Sequence, residues 1–211
     1  GGREHALCWK IKKSPLIKNL YCLPGNAGIK NHAICIREEV INKENIYNAC
    51  KKFEIDLVVI GPEDHLAQGL TDYLTDKKIM VFGPSKTAST LESSKSFTKN
   101  LCLKHKIPTA SYEIFHNEQD AIDFIRDQKY PIVIKVDGLA AGKGVIIPNS
   151  FSEASSTISE IFSGKFGNAG KTVIIEEFLN GVEASFFALS DGNTVIPFST
   201  AQDYKRAFDD N

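Results

Sequence analysis

The sequence has no excess of either charge: 25 basic residues stand against 26 acidic ones, for a formal net charge of −1. No basic field therefore advertises a nucleic acid or an anionic membrane as partner. Long apolar runs are missing as well. The longest, such as Leu57-Val-Val-Ile60, have the length of a strand and fall far short of the roughly twenty residues that cross a bilayer. None of the five cysteines (Cys8, Cys22, Cys35, Cys50, Cys102) forms a Cys-x-x-Cys pair, and their number is odd. Spacing thus offers no metal or disulfide framework, and no secretory signal opens the chain. A reducing, cytoplasmic setting is expected, with the cysteines acting as small buried hydrophobes. Internal repeats and low-complexity stretches are also absent.

What is present is α/β alternation. A chain of 211 residues has room for one large domain or two small ones. In the first ninety or so residues, strands are predicted at 19–23, 33–36, 56–60 and 79–82, and helices at 1–13, 42–53 and 65–75, with Asn42 placed to cap the second helix. Turns rich in glycine and proline follow three of these strands, at Pro24-Gly25-Asn26-Ala27-Gly28, Gly61-Pro62-Glu63 and Gly83-Pro84. Such βα units predict a parallel, doubly wound sheet with ligands at the carboxyl ends of its strands. The 56–60 strand, apolar after Asp56, is expected to be buried. Gly1-Gly2 reads as a glycine turn with no strand before it, and the polar segment 202–206 has no terminating element. The chain is therefore expected to be a piece of a longer protein.

A helical pattern over 86–105, built on Leu91, Phe97, Leu101 and Leu103, stops before Pro108. A second unit follows: strand 111–115, helix 118–128, strand 132–136, strand 144–147, helix 152–162 and strand 172–175. Strands 183–189 and 194–199 flank the hairpin signal Asp191-Gly192.

The stretch "KVDGLAAGKG", residues 135–144, carries the chemistry. Glycine lets a backbone approach another group closely, and lysine meets phosphate as a point charge. It is not a P-loop: Gly138 to Lys143 is one residue short, glycine stands where a magnesium-binding hydroxyl belongs, and Val145-Ile146-Ile147 reads as a strand. Nor is it the kinase glycine loop, since Lys135 precedes the glycines and the H-R-D and D-F-G signatures are missing. A phosphate-covering hairpin and a bare surface hairpin both remain; the two lysines favour the first. Lys99 and Lys104 read as solvated helix lysines. Asp137, followed by Gly138, reads as shaping a turn.

Laid in order, Lys95 in a helix start, Lys135 on a strand, the glycine hairpin, Glu176-Glu177-Phe178-Leu179 leaving a strand, and Glu183 form the pattern of the ATP-grasp fold. The motifs "GGREHAL", "PGNAG", "GPE", "FGPS", "LESSKSFTK", "IPTA", "PIVIKVDGLAAGKGV", "VIIEEFLNGVEAS" and "AQDYKR" narrow this. Their order over residues 1–206 resembles that of the phosphoribosylamine–glycine ligase (glycinamide ribonucleotide synthetase) family. Tyr204 departs from it, standing where the family usually has histidine.

The resemblance implies a Rossmann-like substrate domain over 1–90, its first strand missing. It also implies an incomplete ATP-grasp region over 91–211 with a small α+β lid subdomain at about 113–178. It implies ATP-dependent joining of glycine to 5-phosphoribosylamine in purine biosynthesis; the alternative is another ATP-grasp carboxylate–amine ligase or a biotin-carboxylase-like enzyme. By the same resemblance, Lys95 and Lys135 neutralise nucleotide phosphates, and Gly138, Gly142, Lys143 and Gly144 form the lid. Glu176, Glu177, Phe178 and Leu179 supply the adenine hinge and Glu183 the ribose carboxylate. Lys205 and Arg206 join Lys143 as the catalytic cations. Gly1, Gly2 and Arg3 take the phosphate of phosphoribosylamine, with Glu4, Asn26 and Glu63 on its ribose. The ligands for Mg²⁺ or Mn²⁺ are expected downstream of residue 211, with none inside the chain, and the full protein is expected to be a monomer.

Overall fold

The computed structural model describes residues 1–37, 41–138, 140 and 143–203. The first ninety residues contain α1 (Gly2–Ile11), β1 (Tyr21–Cys22), β2 (Ile34–Cys35), α2 (Lys43–Lys52), β3 (Leu57–Val59), α3 (Glu63–Ala67), α4 (Leu70–Asp76) and β4 (Met80–Phe82). Parallel pairing is present here as two ladders, β1 with β2 and β3 with β4. Asn42 caps α2, its side-chain oxygen accepting the Asn45 N–H at 2.8 Å. The helix expected over 65–75 is two helices, interrupted at Gln68 and Gly69. Ile29, Leu70 and Leu74 are the largest buried apolar side chains of this half.

One expectation is corrected here. Leu57 and Val59 of β3 are 50% and 37% exposed, and Met80 and Phe82 of β4 are 66% and 56% exposed. The strand is apolar, but no described element covers that face. The cysteines are corrected in part: all five are free, Cys8 and Cys50 are buried, and the other three are half-buried. Burial pushes the Cys22 thiol up to about 11, so it stays protonated at neutral pH.

The helical stretch over 86–105 is also divided, into α5 (Thr90–Ser93) and α6 (Lys95–His105). Ser94 between them is extended, and its Oγ accepts the Phe97 N–H at 3.2 Å. A serine that bonds the backbone this way starts a helix rather than continuing one.

The second unit is a four-stranded antiparallel sheet in the order β5 (Tyr112–Phe115), β8 (Val173–Glu177), β6 (Ile132–Val136), β7 (Val145–Ile146), as an α+β lid requires. Asn117 and Ser150 cap α7 (Glu118–Ile125) and α8 (Phe151–Glu160). Strand alternation does the rest. Ile132, Ile134, Val136, Val173 and Ile175 point to one face and pack with Ala121, Ile125, Ala154 and Ile158 of the two helices. The opposite face carries Val133, Lys135, Ile174 and Glu176. Two of these are charged, and this face builds the site.

β9 (Ser185–Ser190) and β10 (Val195–Ala201) form the last hairpin. Asp191 Oδ1 accepts the N–H groups of Asn193 and Thr194 at 2.9 and 2.7 Å, the Asx turn that "DG" signals. All of β10 is exposed. Among the described residues no helix is long and apolar enough to cross a membrane.

Candidate functional site

The four-stranded unit meets α6 through Asp137. Its Oδ1 accepts the backbone N–H groups of Lys95 (2.7 Å) and Ser96 (3.3 Å). Its Oδ2 accepts the hydroxyls of Ser94 (3.3 Å) and Ser96. Asp137 does more than shape a turn: it is an anion on the amino end of α6, where free N–H groups and the helix dipole favour negative charge. The next carbonyl, Gly138 O, accepts from Lys95 Nζ at 2.8 Å. Burial pushes the Lys95 ammonium below the ordinary lysine value, and the Asp137 charge opposes the shift. Asp137→Ala should cost about 1–2 kcal/mol of stability through lost capping. Urea melts of the full-length protein check this; an unchanged midpoint would remove the cap from the account.

On the sheet face opposite the lid helices, Lys135 on β6 and Glu176 on β8 are diagonal neighbours, since Lys135 pairs with Ile174 and Val133 with Glu176. Lys135 Nζ donates to Glu176 Oε2 at 2.9 Å. Lys99, one helical turn beyond Lys95, reaches the same oxygen at 3.0 Å. Lys99 is therefore not a solvated helix lysine: it is 8% exposed, and Glu176 is 5% exposed. Three ammonium groups (Lys95, Lys99, Lys135) face two carboxylates (Asp137, Glu176) at the base of the glycine hairpin.

Two glycines of the hairpin have different reasons. Gly138 has φ +113°, a conformation that a side chain resists. Gly144 is buried, and a Cβ there would lie 2.6 Å from Val136 Cγ2 and 2.7 Å from Ala140 Cβ, so the chain returns too close to β6 for any side chain. Lys143 is exposed, its N–H bonded to Ala140 O at 2.9 Å. Gly142 lies outside the described residues, as do Tyr204, Lys205 and Arg206.

At the end of β8, Glu177 is tied to Ser111. Its carboxylate accepts the Ser111 N–H at 2.7 Å while its own N–H donates to Ser111 O at 3.1 Å. The first of these bonds holds the Glu177 carboxyl below the usual carboxylate range. Beyond it Phe178 and Leu179 are exposed, 41% and 63%. Glu183 is exposed on the segment leading into β9.

A second group assembles around the start of α1. Arg3 Nη1 donates to Gly61 O at 2.9 Å and to Glu63 Oε2 at 3.0 Å. The Glu63 backbone N–H, then Arg3, hold its carboxyl below the usual range. Glu4 lies against Gly61, where a Cβ would come within 2.6 Å of its Oε1. Gly1 and Gly2 begin α1 as N-cap and first residue. The "GGREH" and "GPE" motifs are thus one place. Asn26 spends its carboxamide oxygen on the Ile29 N–H at 3.0 Å. Beside it, Pro24, Gly25, Asn26, Ala27, Lys30, Cys35 and Arg37 line a cavity of about 300 Å³. Sequence reasoning missed Lys30 and Arg37; their only signal was two cations soon after "PGNAG".

Among the described residues no three His, Cys, Asp or Glu side chains are grouped to hold a metal ion.

Comparison with known proteins completes the picture. The profile "Phosphoribosylglycinamide synthetase, N domain" matches residues 1–92, and "Phosphoribosylglycinamide synthetase, ATP-grasp (A) domain" matches residues 93–211. A phosphoribosylamine–glycine ligase of Agrobacterium fabrum is 52% identical over 209 residues, 99% of this chain and 49% of its own length. The crystal structure of a phosphoribosylamine–glycine ligase from Thermotoga maritima superposes with a TM-score of 0.81 at 32% identity, over 98% of this chain and 49% of that one. A biotin carboxylase of Campylobacter jejuni shares the fold alone, with a TM-score of 0.75 at 19% identity over 93% of this chain and 48% of that one. The chain spans about half the length of the curated relatives it matches. With the motifs, the α/β architecture and both profiles in agreement, this chain belongs to the phosphoribosylglycinamide synthetase family.

Proposed function

We propose that the protein joins glycine to 5-phosphoribosylamine at the expense of ATP, giving glycinamide ribonucleotide, ADP and phosphate in purine biosynthesis. The observation that carries this reading is the lysine cluster at the base of the glycine hairpin, where Lys95 Nζ meets Gly138 O and Lys135 Nζ meets Glu176. Glycine's carboxylate is a poor electrophile, so an amine attacks it only after activation. Its oxygen takes the γ-phosphoryl group, giving glycyl phosphate; the amine of phosphoribosylamine then attacks the carbonyl and inorganic phosphate leaves. A protein contributes to such a transfer chiefly by positioning and charge neutralisation.

In this reading Lys95 and Lys135 meet phosphate oxygens of the nucleotide. Gly138, Gly142, Lys143 and Gly144 cover them and keep water from the acyl phosphate. The backbone from Glu176 to Leu179, which leaves the ladder after Glu177, offers its carbonyl and amide groups to adenine. Lys205 and Arg206 add charge near the γ-phosphate. Phosphoribosylamine lies across the Gly1–Arg3 turn, with Glu4, Asn26 and Glu63 near its ribose; Lys30 and Arg37 suit its phosphate. A divalent ion, Mg²⁺ or Mn²⁺, would neutralise charge on the phosphates, and we place its ligands beyond residue 211. The substrate and ATP-grasp regions would divide near residue 90, in a cytoplasmic, monomeric protein.

ADP release by the full-length protein tests the reading. It should require glycine and phosphoribosylamine together, and bicarbonate should not replace them. Bicarbonate-driven release without glycine would favour a carboxylase instead. Glu183→Ala should weaken ATP binding by about 1.5–3 kcal/mol, the worth of a charged hydrogen bond. Calorimetric titration measures it, and unchanged affinity would remove Glu183 from the site.

A further inference from the structure

We propose that Lys99 is a positioning residue for nucleotide binding: it neutralises Glu176 from within the protein and so leaves the Lys135 charge for the phosphates. The inference rests on the ATP reading above. Glu176 Oε2 lies 3.0 Å from Lys99 Nζ and 2.9 Å from Lys135 Nζ, while buried Oε1 accepts no hydrogen bond among the described residues. The two lysines are not equivalent. Lys99 Nζ has three partners, Glu176, Thr109 Oγ1 at 2.8 Å and Ala110 O at 3.1 Å, and its side chain is 9% exposed. Three donors on three acceptors leave an ammonium nothing further to offer. Lys135 Nζ has Glu176, and its side chain is 26% exposed, beside the lid.

Charge arithmetic then assigns the roles. With Lys99 in place the trio carries one net positive charge, held by the more open lysine. Without Lys99, the carboxylate and Lys135 would form a neutral pair. A phosphate approaching Lys135 would then have to break a buried ion pair and leave its carboxylate uncompensated, which is costly. Lys99 would act on ATP without touching it. A purely structural salt bridge predicts something different: a loss of stability, relieved when the carboxylate is also removed, with ATP affinity of the folded protein unchanged in either variant.

The test uses the full-length protein with MgATP as the probe, comparing wild type, Lys99→Gln and Lys99→Gln/Glu176→Gln. Glutamine is neutral and can still bond Thr109 or Ala110, and at position 176 it keeps the backbone that the ATP reading assigns to adenine. Lys99→Gln should raise Kd and KM for ATP about tenfold or more with kcat at saturating ATP far less affected. The double variant, which again leaves Lys135 unpaired by a carboxylate, should return to within about threefold of wild type. Lys99→Gln binding as tightly as wild type, or a double variant more than about tenfold weaker than wild type, would overturn the proposal. The double variant decides alone if Lys99→Gln fails to fold, because it buries no unpaired charge. Wild type that binds no ATP would overturn the ATP reading itself, an outcome distinct from the other two.

Discussion

Lys135→Ala in the full-length protein is expected to lower kcat/KM for ATP by about 10²–10³, the usual loss when one preorganised charge facing a transferring phosphoryl group is removed. Folding should survive. Glu176 keeps Lys99 at 3.0 Å, so the deletion strands no carboxylate, and the aliphatic stem lost is only partly buried. Thermal melts should therefore stay close to wild type while ATP-dependent turnover collapses. This separation distinguishes a ligand lysine from a structural one. Activity within about threefold of wild type would mean that Lys135 does not meet the nucleotide.

The largest stability effect is expected at Ile134. It is fully buried on β6, one of the two inner strands of the four-stranded sheet, flanked by β8 and β7, on the face that packs against α7 and α8. Truncation to alanine removes three carbons from a cluster whose neighbours Ile132, Val136 and Ile175 are 0–2% exposed and have little room to collapse. Ile134→Ala should cost about 2–5 kcal/mol by urea unfolding. That is a large share of the roughly 5–15 kcal/mol that holds a domain folded. Val145→Ala, at a side chain 45% exposed on neighbouring β7, should cost less than about 1 kcal/mol. Equal effects at the two positions would contradict this placement of the core.

The candidate site could be put forward from sequence because its residues sit in ordered motifs whose chemistry is local: a glycine hairpin, a lysine on the strand before it, a carboxylate pair at a strand end. What stayed hidden depends on three-dimensional neighbours. Lys99 read as solvated, yet its spacing of four from Lys95 puts both on one helix face, and that was the available signal. Asp137 read as a turn residue because sequence does not show that its carboxylate meets the amino end of a helix 42 residues earlier. The apolar β3 read as buried, but burial depends on what covers a strand, and here one face is left open. Ser94 carried its own warning, a serine inside a helical pattern, since it caps α6 rather than extending α5.

The central claim is that glycine's carboxylate is activated by phosphoryl transfer, and isotope transfer tests it most directly. Full-length protein is supplied with ATP, phosphoribosylamine and glycine labelled with ¹⁸O in both carboxylate oxygens, and the released inorganic phosphate is weighed by mass spectrometry. If glycyl phosphate forms, its bridging oxygen comes from glycine and departs with the phosphate when the amine attacks. Each phosphate should then carry one ¹⁸O, and the amide product should retain the other. Unlabelled phosphate released in step with product would show that the carboxylate never accepted the phosphoryl group, and would contradict the account.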